Sequence, residues 1–315
     1  MKALVTGGAG FVGSHVVDKL LDNECDVLVV DNLTSGDTSN VNPAAKLEVL
    51  DILDADSLMR LFQKFQPDVV LHLAAQVSVS ISVRDPIFDA SVNILGSLNV
   101  LDATSRVGAS LVYASSAACY GPPAELPITE THVCAPASPY GISKLSAEHY
   151  LSAFRQTHGL VGTTLRLSNV YGPRQSPASE AGVVATFAYR LCSGARVNIS
   201  GEGKQTRDFI YVGDVAEAFC HAIRAPSGTY NIGTGRESSV MDVWSMMAQC
   251  ARQRGKDVAD PLMVDSRAGD IARSVFDCTK AAKHLGWVAH TTLETGIRMT
   301  FEHASACCES QWGRC

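Results

Sequence analysis

Tyr140 and Lys144 stand four residues apart in Ser138-Pro139-Tyr140-Gly141-Ile142-Ser143-Lys144. Ser138 reads as a helix N-cap and Pro139 as the first helical position, so the phenol and the ammonium share one helix face. A cation beside a phenol favours the tyrosinate and lowers its pKa from about 10. Tyr140 would then be a base for a hydroxyl proton. Alone, such a pair is ordinarily a solvated surface pair. Here it follows a glycine turn that announces a nucleotide. The apolar run Met1–Val5 leads into Thr6-Gly7-Gly8-Ala9-Gly10-Phe11-Val12-Gly13 and then a helical pattern. Gly7 allows the tight turn, Gly10 a close approach to pyrophosphate, and Gly13 the packing of helix on strand. The helix start offers free N–H groups to phosphate.

Asp31 ends the second predicted strand, where its carboxylate would accept from adenosine ribose hydroxyls and repel a 2′-phosphate. That favours NAD over NADP. Asp51 and Ile52, after the third strand, are placed to meet the adenine. Ser115 and Ser116 follow the predicted strand Ser110–Ala114, at the carboxyl edge where ligands of open α/β sheets bind. A hydroxyl there would bridge a substrate oxygen and Tyr140. The chemistry implied is hydride transfer from a carbinol carbon with tyrosine as acid and base.

The elements that must hold these groups alternate over the first 170 residues. Strands are expected at Lys2–Val5, Asp26–Val30, Lys46–Leu50, Val69–Leu73, Ser110–Ala114 and Thr163–Leu167. Helices are expected at Ser14–Asp22, Asp56–Phe65, Val92–Ser105 and from Ser138 to about His158. Strands alternating with helices, without tight hairpins, imply an α/β fold with a Rossmann-type, doubly wound parallel sheet. Beyond residue 171, Gly, Pro and Ser cluster at 172–182 and 200–206, and helices are expected near Val183–Ser193, Val215–Ile223, Met241–Arg254 and Thr279–Leu285. The expected division is 1–170 for the dinucleotide and 171–315 as a smaller C-terminal substrate-binding lobe, with some segments interleaved.

The chain has 315 residues, 46% apolar and 18% charged, with net charge −6. It is long enough for a filled core. It has no basic field for nucleic acid or an anionic membrane, and no apolar run near the roughly 18 residues of a membrane helix. A strand starting at residue 2 leaves no room for a leader, so the expected location is cytoplasmic. Ten cysteines lack C-x-x-C or zinc spacing, and are read as reduced thiols with no metal site. Cys307, Cys308 and Cys315 are read as part of an exposed tail.

Taken together, these motifs resemble the extended short-chain dehydrogenase/reductases of the NAD-dependent epimerase/dehydratase family over almost the whole chain. They include the glycine turn, His72-Leu73-Ala74-Ala75-Gln76, Asn93 with Gly96 and Asn99, Ser115-Ser116-Ala117-Ala118-Cys119-Tyr120-Gly121, and Tyr140 with Lys144. Arg166-Leu167-Ser168-Asn169-Val170-Tyr171-Gly172-Pro173-Arg174, Arg207-Asp208-Phe209, Tyr230-Asn231-Ile232-Gly233 and Arg267-Ala268-Gly269-Asp270 complete the set. The resemblance implies Ser116, Tyr140 and Lys144 as catalytic residues. It implies NAD held by Gly7, Gly10, Phe11, Val12, Gly13, Asp31, Asn32, Asp51, Ile52, Leu73, Ala74, Ala75 and Asn93, with Tyr140 and Lys144. It implies a UDP-sugar held by Asn169, Arg174, Arg207, Arg267, Asp270 and Ser274, arginine forks suiting phosphate oxygens. His72 is expected to be structural. A homodimer through the helices near 92–105 and 140–157 is also implied.

Two positions depart from the family pattern. Dehydratases of the family carry Asp-Glu where this chain has Ala117-Ala118, which favours epimerisation through transient C4 oxidation of a UDP-hexose. Cys119 replaces the usual valine. It is either a small buried side chain or a proton carrier near C5 or C6, which would suit a dehydratase eliminating water after C4 oxidation. Ser274 aligns with a residue that gates the sugar's 2-substituent, and its small size would admit UDP-N-acetylglucosamine.

Overall fold

Short apolar runs buried on both faces dictate a central parallel sheet. The computed structural model describes residues 1–177, 182–265 and 271–312, with side chains to residue 309. In chain order the strands are β1 (Lys2–Thr6), β2 (Asp26–Asp31), β3 (Lys46–Val49), β4 (Val69–His72), β5 (Ser110–Ser116), β6 (Gly162–Leu167) and β7 (Asn169–Tyr171). Then come β8 (Asn198–Ser200), β9 (Thr206–Arg207), β10 (Phe209–Tyr211), β11 (Gly228–Ile232), β12 (Ser238–Ser239) and β13 (Leu262–Val264). Seven strands form one sheet in the order β11-β6-β5-β4-β1-β2-β3, all parallel. The other strands make three two-stranded pairs: β10 with β7, β12 with β9, and β13 with β8.

The helices are α1 (Phe11–Asp22), α2 (Ala55–Phe65), α3 (Val79–Arg84), α4 (Pro86–Ala90), α5 (Ser97–Val107), α6 (Pro139–His158), α7 (Val183–Cys192), α8 (Val212–Ala222), α9 (Val240–Gln253), α10 (Thr279–Leu285) and α11 (Leu293–Trp312). On one sheet face Val16 and Val17 of α1 pack with Ala216 and Phe219 of α8. On the other, Leu58 and Phe62 of α2 meet Val100 and Leu101 of α5 and Ala147 and Leu151 of α6. A third apolar cluster joins α7, α9 and α11 around Tyr171, Phe209 and Tyr211. The chain after residue 171 does not stay apart, because β11 returns to pair with β6 at the sheet edge.

Two departures from the sequence reading have physical causes. The expected helix over Val92–Ser105 is preceded by α3, α4 and a π-helical turn, Ser91–Gly96, so Val92–Gly96 is wound more widely than the rest. The helix that follows, α5, ends at Gly108, whose φ of +72° suits a residue without a side chain. The last helix, α11, lies where a tail was expected, and Cys307 and Cys308 on it are half-buried rather than exposed. Ile297, Phe301 and Ala304, each at most 1% exposed, form its buried stripe.

His72 ends β4 and is fully enclosed. Its Nδ1 lies 2.7 Å from Thr6 Oγ1 of β1, and its Nε2 lies 2.9 Å from Ser97 Oγ of α5. Ser97 donates its own proton to the Asn93 carbonyl at 2.7 Å. Its oxygen therefore accepts from His72 Nε2–H, which leaves Nδ1 to accept from Thr6. Both ring nitrogens are satisfied only in the neutral form. Burial pushes the imidazole from 6.5 down to about 3, with the Lys144 charge acting the same way. Above pH 6.5 neither the folded nor the unfolded chain binds a proton here. Below that, only the unfolded chain does, so stability falls by about 1.4 kcal/mol per pH unit from this site. Urea midpoints followed from about pH 7 to about pH 5 should decline less steeply in His72→Gln than in the parent. Parallel slopes would contradict this role.

Candidate active site

The loops leaving β1, β2 and β4 meet at backbone contact. Gly7 holds φ +73°, and a Cβ there would lie 2.6 Å from Ala74 N. A Cβ on Gly13 would lie 2.1 Å from Gly7 O. Gly10 precedes α1 and gives its first amides no side-chain acceptor. Phe11 and Val12 open the helix half-buried. Leu73 N donates to Thr6 O at 3.0 Å and Ala74 N to Thr6 Oγ1 at 3.3 Å, while Ala75 continues the loop half-buried.

At the end of β2, Asp31 is 8% exposed. Its carboxylate accepts from Ala9 N at 3.0 Å and Leu33 N at 2.9 Å, which fastens it to the glycine loop. Asn32 is exposed and donates to Asp51 Oδ2 at 2.9 Å. Ile52 is buried, its carbonyl accepts from Asn99 at 2.9 Å, and a Cβ at position 96 would lie 2.6 Å from its Cδ1. Asn93 is fully engaged. Its Oδ1 accepts from Gln76 N at 2.9 Å, and its Nδ2 lies 2.9 Å from Gln76 O, 3.0 Å from Asp89 Oδ1 and 3.1 Å from Ser143 Oγ.

The carboxyl end of β5 faces the first turn of α6. Ser138 caps that helix by accepting from Gly141 N at 3.2 Å. The Ser116 hydroxyl caps the turn Ala117–Cys119, accepting from Ala118 N at 3.2 Å, and is near enough to the Tyr140 phenol to favour its ionised form. Ala117 and Ala118 follow with no ionisable group, and Gly141 lets the Ala118 carbonyl pack against α6.

Lys144 lies on the same face as Tyr140, yet the phenol is not lowered as the sequence suggested. Nζ donates to Ala114 O at 3.0 Å and sits 5.1 Å over the Tyr113 ring. Burial instead pushes Tyr140 up to about 12, opposed by the Ser116 hydrogen bond and aided by Cys119 and Asp89. Burial also brings Lys144 down to about 8, opposed by Cys119, Asp89 and Glu148. Among these side chains, desolvation of the charged form outweighs neighbouring charge.

Beneath Ser116 lies a buried ion pair that sequence reasoning passed over. Glu148 and Arg166 are each 7% exposed at the side chain and close at 2.6 Å. Ser115 donates to Glu148, and Arg166 lies 4.6 Å over the Tyr120 ring. Glu148 stands one helical repeat beyond Lys144, and Arg166 interrupts an apolar strand. Those were the available signals. Cys119 is 0% exposed, with its sulfur 3.3 Å from Ser115 Oγ. Burial, then the Glu148 charge, pushes this thiol up to about 12.

The residues expected to hold a sugar nucleotide are partly gathered. Asn169 on β7 pairs with Phe209, two residues past Arg207. Arg207 Nη1 donates to the Thr206 carbonyl at 2.8 Å. Thr206 pairs with Arg273, which places Ser274 next to β9. Asp208, 1% exposed, fixes this corner by accepting from Thr234 N at 2.8 Å and Gly235 N at 3.1 Å. Arg174 is instead paired with Asp18 of α1 at 2.7 Å. Arg267 and Asp270 lie outside the described residues.

A backbone cradle that a Cβ would fill, an uncapped helix start and an acceptor-only carboxylate at β2 fit a dinucleotide with free ribose hydroxyls. The family model described as NAD dependent epimerase/dehydratase family matches residues 3–233. A UDP-glucose 4-epimerase from Thermotoga maritima, solved with UDP-glucose, superimposes with a TM-score of 0.94 at 43% identity, covering 98% of this chain and 100% of that one. The UDP-glucose 4-epimerase of Mycolicibacterium smegmatis is 40% identical over 96% of this chain and 98% of its own length. The dTDP-glucose 4,6-dehydratase 1 of Escherichia coli is 34% identical over 96% of this chain and 92% of its own. The chain therefore belongs to the NAD-dependent epimerase/dehydratase family. It is an enzyme, and its cofactor is NAD.

Gly13→Ala isolates the steric argument. In a helix this change ordinarily stabilises by about 1 kcal/mol, yet here the new methyl meets a backbone carbonyl. NAD affinity by calorimetry should weaken roughly tenfold or more. Parent-like affinity would contradict the assignment of the turn.

Proposed function

We propose that this chain is a UDP-hexose 4-epimerase whose bound NAD is regenerated within each turnover. The observation that carries the reading is the meeting of the carboxyl end of β5, where Ser116 caps the turn Ala117–Cys119, with the first turn of α6, which carries Tyr140; Ala117 and Ala118 follow Ser116. Gly7, Gly10, Phe11, Val12, Gly13, Asp31, Asn32, Asp51, Ile52, Leu73, Ala74 and Ala75 would hold NAD, and Asn93 would hold the loop that carries the last three. When bound, NAD supplies the acceptor for the C4 hydride and a positive charge. Tyr140 takes the proton of the sugar 4-hydroxyl, and Ser116 shares that proton's path. Lys144, anchored by the Ala114 carbonyl, contributes fixed positive charge. Tyr140 then returns the proton to the same oxygen, after the sugar has presented its other face.

The dehydratase alternative would need an acid and a base at C5 and C6. Ala117 and Ala118 supply neither. The buried Cys119, its pKa pushed up to about 12, holds its proton too tightly for that work, so we assign it to packing. Asn169, Arg207 and Ser274 would hold the sugar nucleotide, with Arg267 and Asp270 completing the set. The small Ser274 favours a pocket that also takes UDP-N-acetylglucosamine. In this reading residues 1–170 carry the cofactor and 171–315 the sugar nucleotide, with some segments interleaved, Asn169 among them. Val79, Val83, Ile87, Phe88, Leu95 and Ile142 are exposed apolar side chains beside α5 and α6. Their exposure supports a homodimer through those helices.

Incubation with UDP-glucose or UDP-N-acetylglucosamine, followed by chromatography and mass spectrometry, should give an isomer of unchanged mass. Loss of one water would instead establish a dehydratase. Tyr140→Phe should lower turnover by about 10²–10⁴-fold with NAD still bound, and Cys119→Val should retain most of it, with a stability cost under about 1.5 kcal/mol. A Tyr140→Phe variant with parent turnover would overturn the reading.

A further inference from the structure

We propose that Asp89 is a positioning residue and the fixed counter-charge of the Tyr140–Lys144 site, joining the cofactor-side loop after β4 to the catalytic end of α6. This rests on the assignment of Tyr140 and Lys144 above. Asp89 is a carboxylate on α4 with 1% exposure. Its Oδ1 accepts from Gln76 Nε2 at 2.7 Å and from Asn93 Nδ2 at 3.0 Å. Both donors are neutral amides, and no cation among the described residues forms an ion pair with it.

The two donors lead to the two halves of the site. Gln76 ends the loop Leu73–Ala75, whose backbone lies against Gly7. Asn93 lies 3.1 Å from Ser143 Oγ, and Ser143 donates to the carbonyl of Tyr140 at 3.0 Å. A chain of hydrogen bonds thus runs from Asp89 to the backbone of the proposed base.

The charges facing this site come from every element around it. Lys144 feels Cys119 from the turn after β5, Asp89 from α4 and Glu148 from its own helix. His72 approaches from β4, and Tyr113 from β5 lies under the ammonium. Tyr140 feels Ser116, Cys119 and Asp89. Glu148 is already neutralised by Arg166, and Cys119 keeps its proton. Asp89 is therefore the acidic neighbour with no cation bonded to it. Its field holds a proton on Lys144 and on the phenol, so it sets the pH at which Tyr140 can act and keeps a proton available for return.

Asn at position 89 preserves the acceptor oxygen and removes the charge. In the NAD-loaded protein, tyrosinate absorbance measured as the difference from the matching Tyr140→Phe protein reads the phenol alone. This titration needs no sugar, so it stands whether or not the chain is a UDP-hexose 4-epimerase. Asp89→Asn should lower the phenol midpoint by about one pH unit, and Asp89→Ser should do the same. Asp89→Glu, which keeps the charge on a longer arm, should leave the midpoint near that of the parent while lowering kcat. With an active sugar, the acid limb of the kcat profile should move with the midpoint. A midpoint unmoved in both neutral variants would overturn the proposal, as would a Glu variant that moves it equally. If neither neutral variant folds while the Glu variant does, Asp89 is a structural residue and the proposal falls.

Discussion

A buried run of hydrogen bonds along the carboxyl ends of β1 and β4 holds the rest of this site together. It passes from Thr6 to His72, to Ser97, to the backbone of Asn93, and through the Asn93 side chain to Gln76, Asp89 and Ser143. From Ser143 it reaches the carbonyl of Tyr140. Every member sits where an unpaired polar atom would be costly, so the network has few alternative arrangements. The glycine turn, the loop carrying Ala74 and the first turn of α6 are thereby fixed relative to one another. A hydride that must leave a carbon and return to it needs such a frame, because small displacements of the reacting groups cost large factors in rate.

Burial dominates the electrostatics of this frame. It pushes Tyr140 and Cys119 up and His72 and Lys144 down, each toward its neutral form. The protein's side chains alone therefore do not prepare a tyrosinate. They leave a phenol that burial keeps protonated. The Glu148–Arg166 pair underneath fixes the β5 end that carries Ser116 without adding net charge.

Much of this was legible in the sequence where the chemistry is local. The spacing of Gly7, Gly10 and Gly13, the placing of Asp31 at a strand end, and the four-residue step from Tyr140 to Lys144 each describe one turn or one helix face. The sheet followed from the alternation of apolar runs and helices. What was not legible is made by distant segments. The direction of the Lys144 ammonium depends on Ala114 and Tyr113 across the fold. Asp89 shows its role only when Gln76 and Asn93 converge on it, and Arg166 only when Glu148 is found beside it. The stripe of Ile297, Phe301 and Ala304 was present to be read, as was Thr292, whose hydroxyl caps α11 by accepting from Thr295 N at 3.2 Å.

The central claim is that one fixed frame lets hydride depart from a sugar carbon and come back without escaping. UDP-glucose carrying deuterium at C4 tests it directly, with the label located in the product by nuclear magnetic resonance. The account predicts UDP-galactose that retains the deuterium at C4 even in light water. Deuterium lost to solvent during conversion would contradict it, because the proton at that carbon would then have exchanged by a route other than captive hydride transfer.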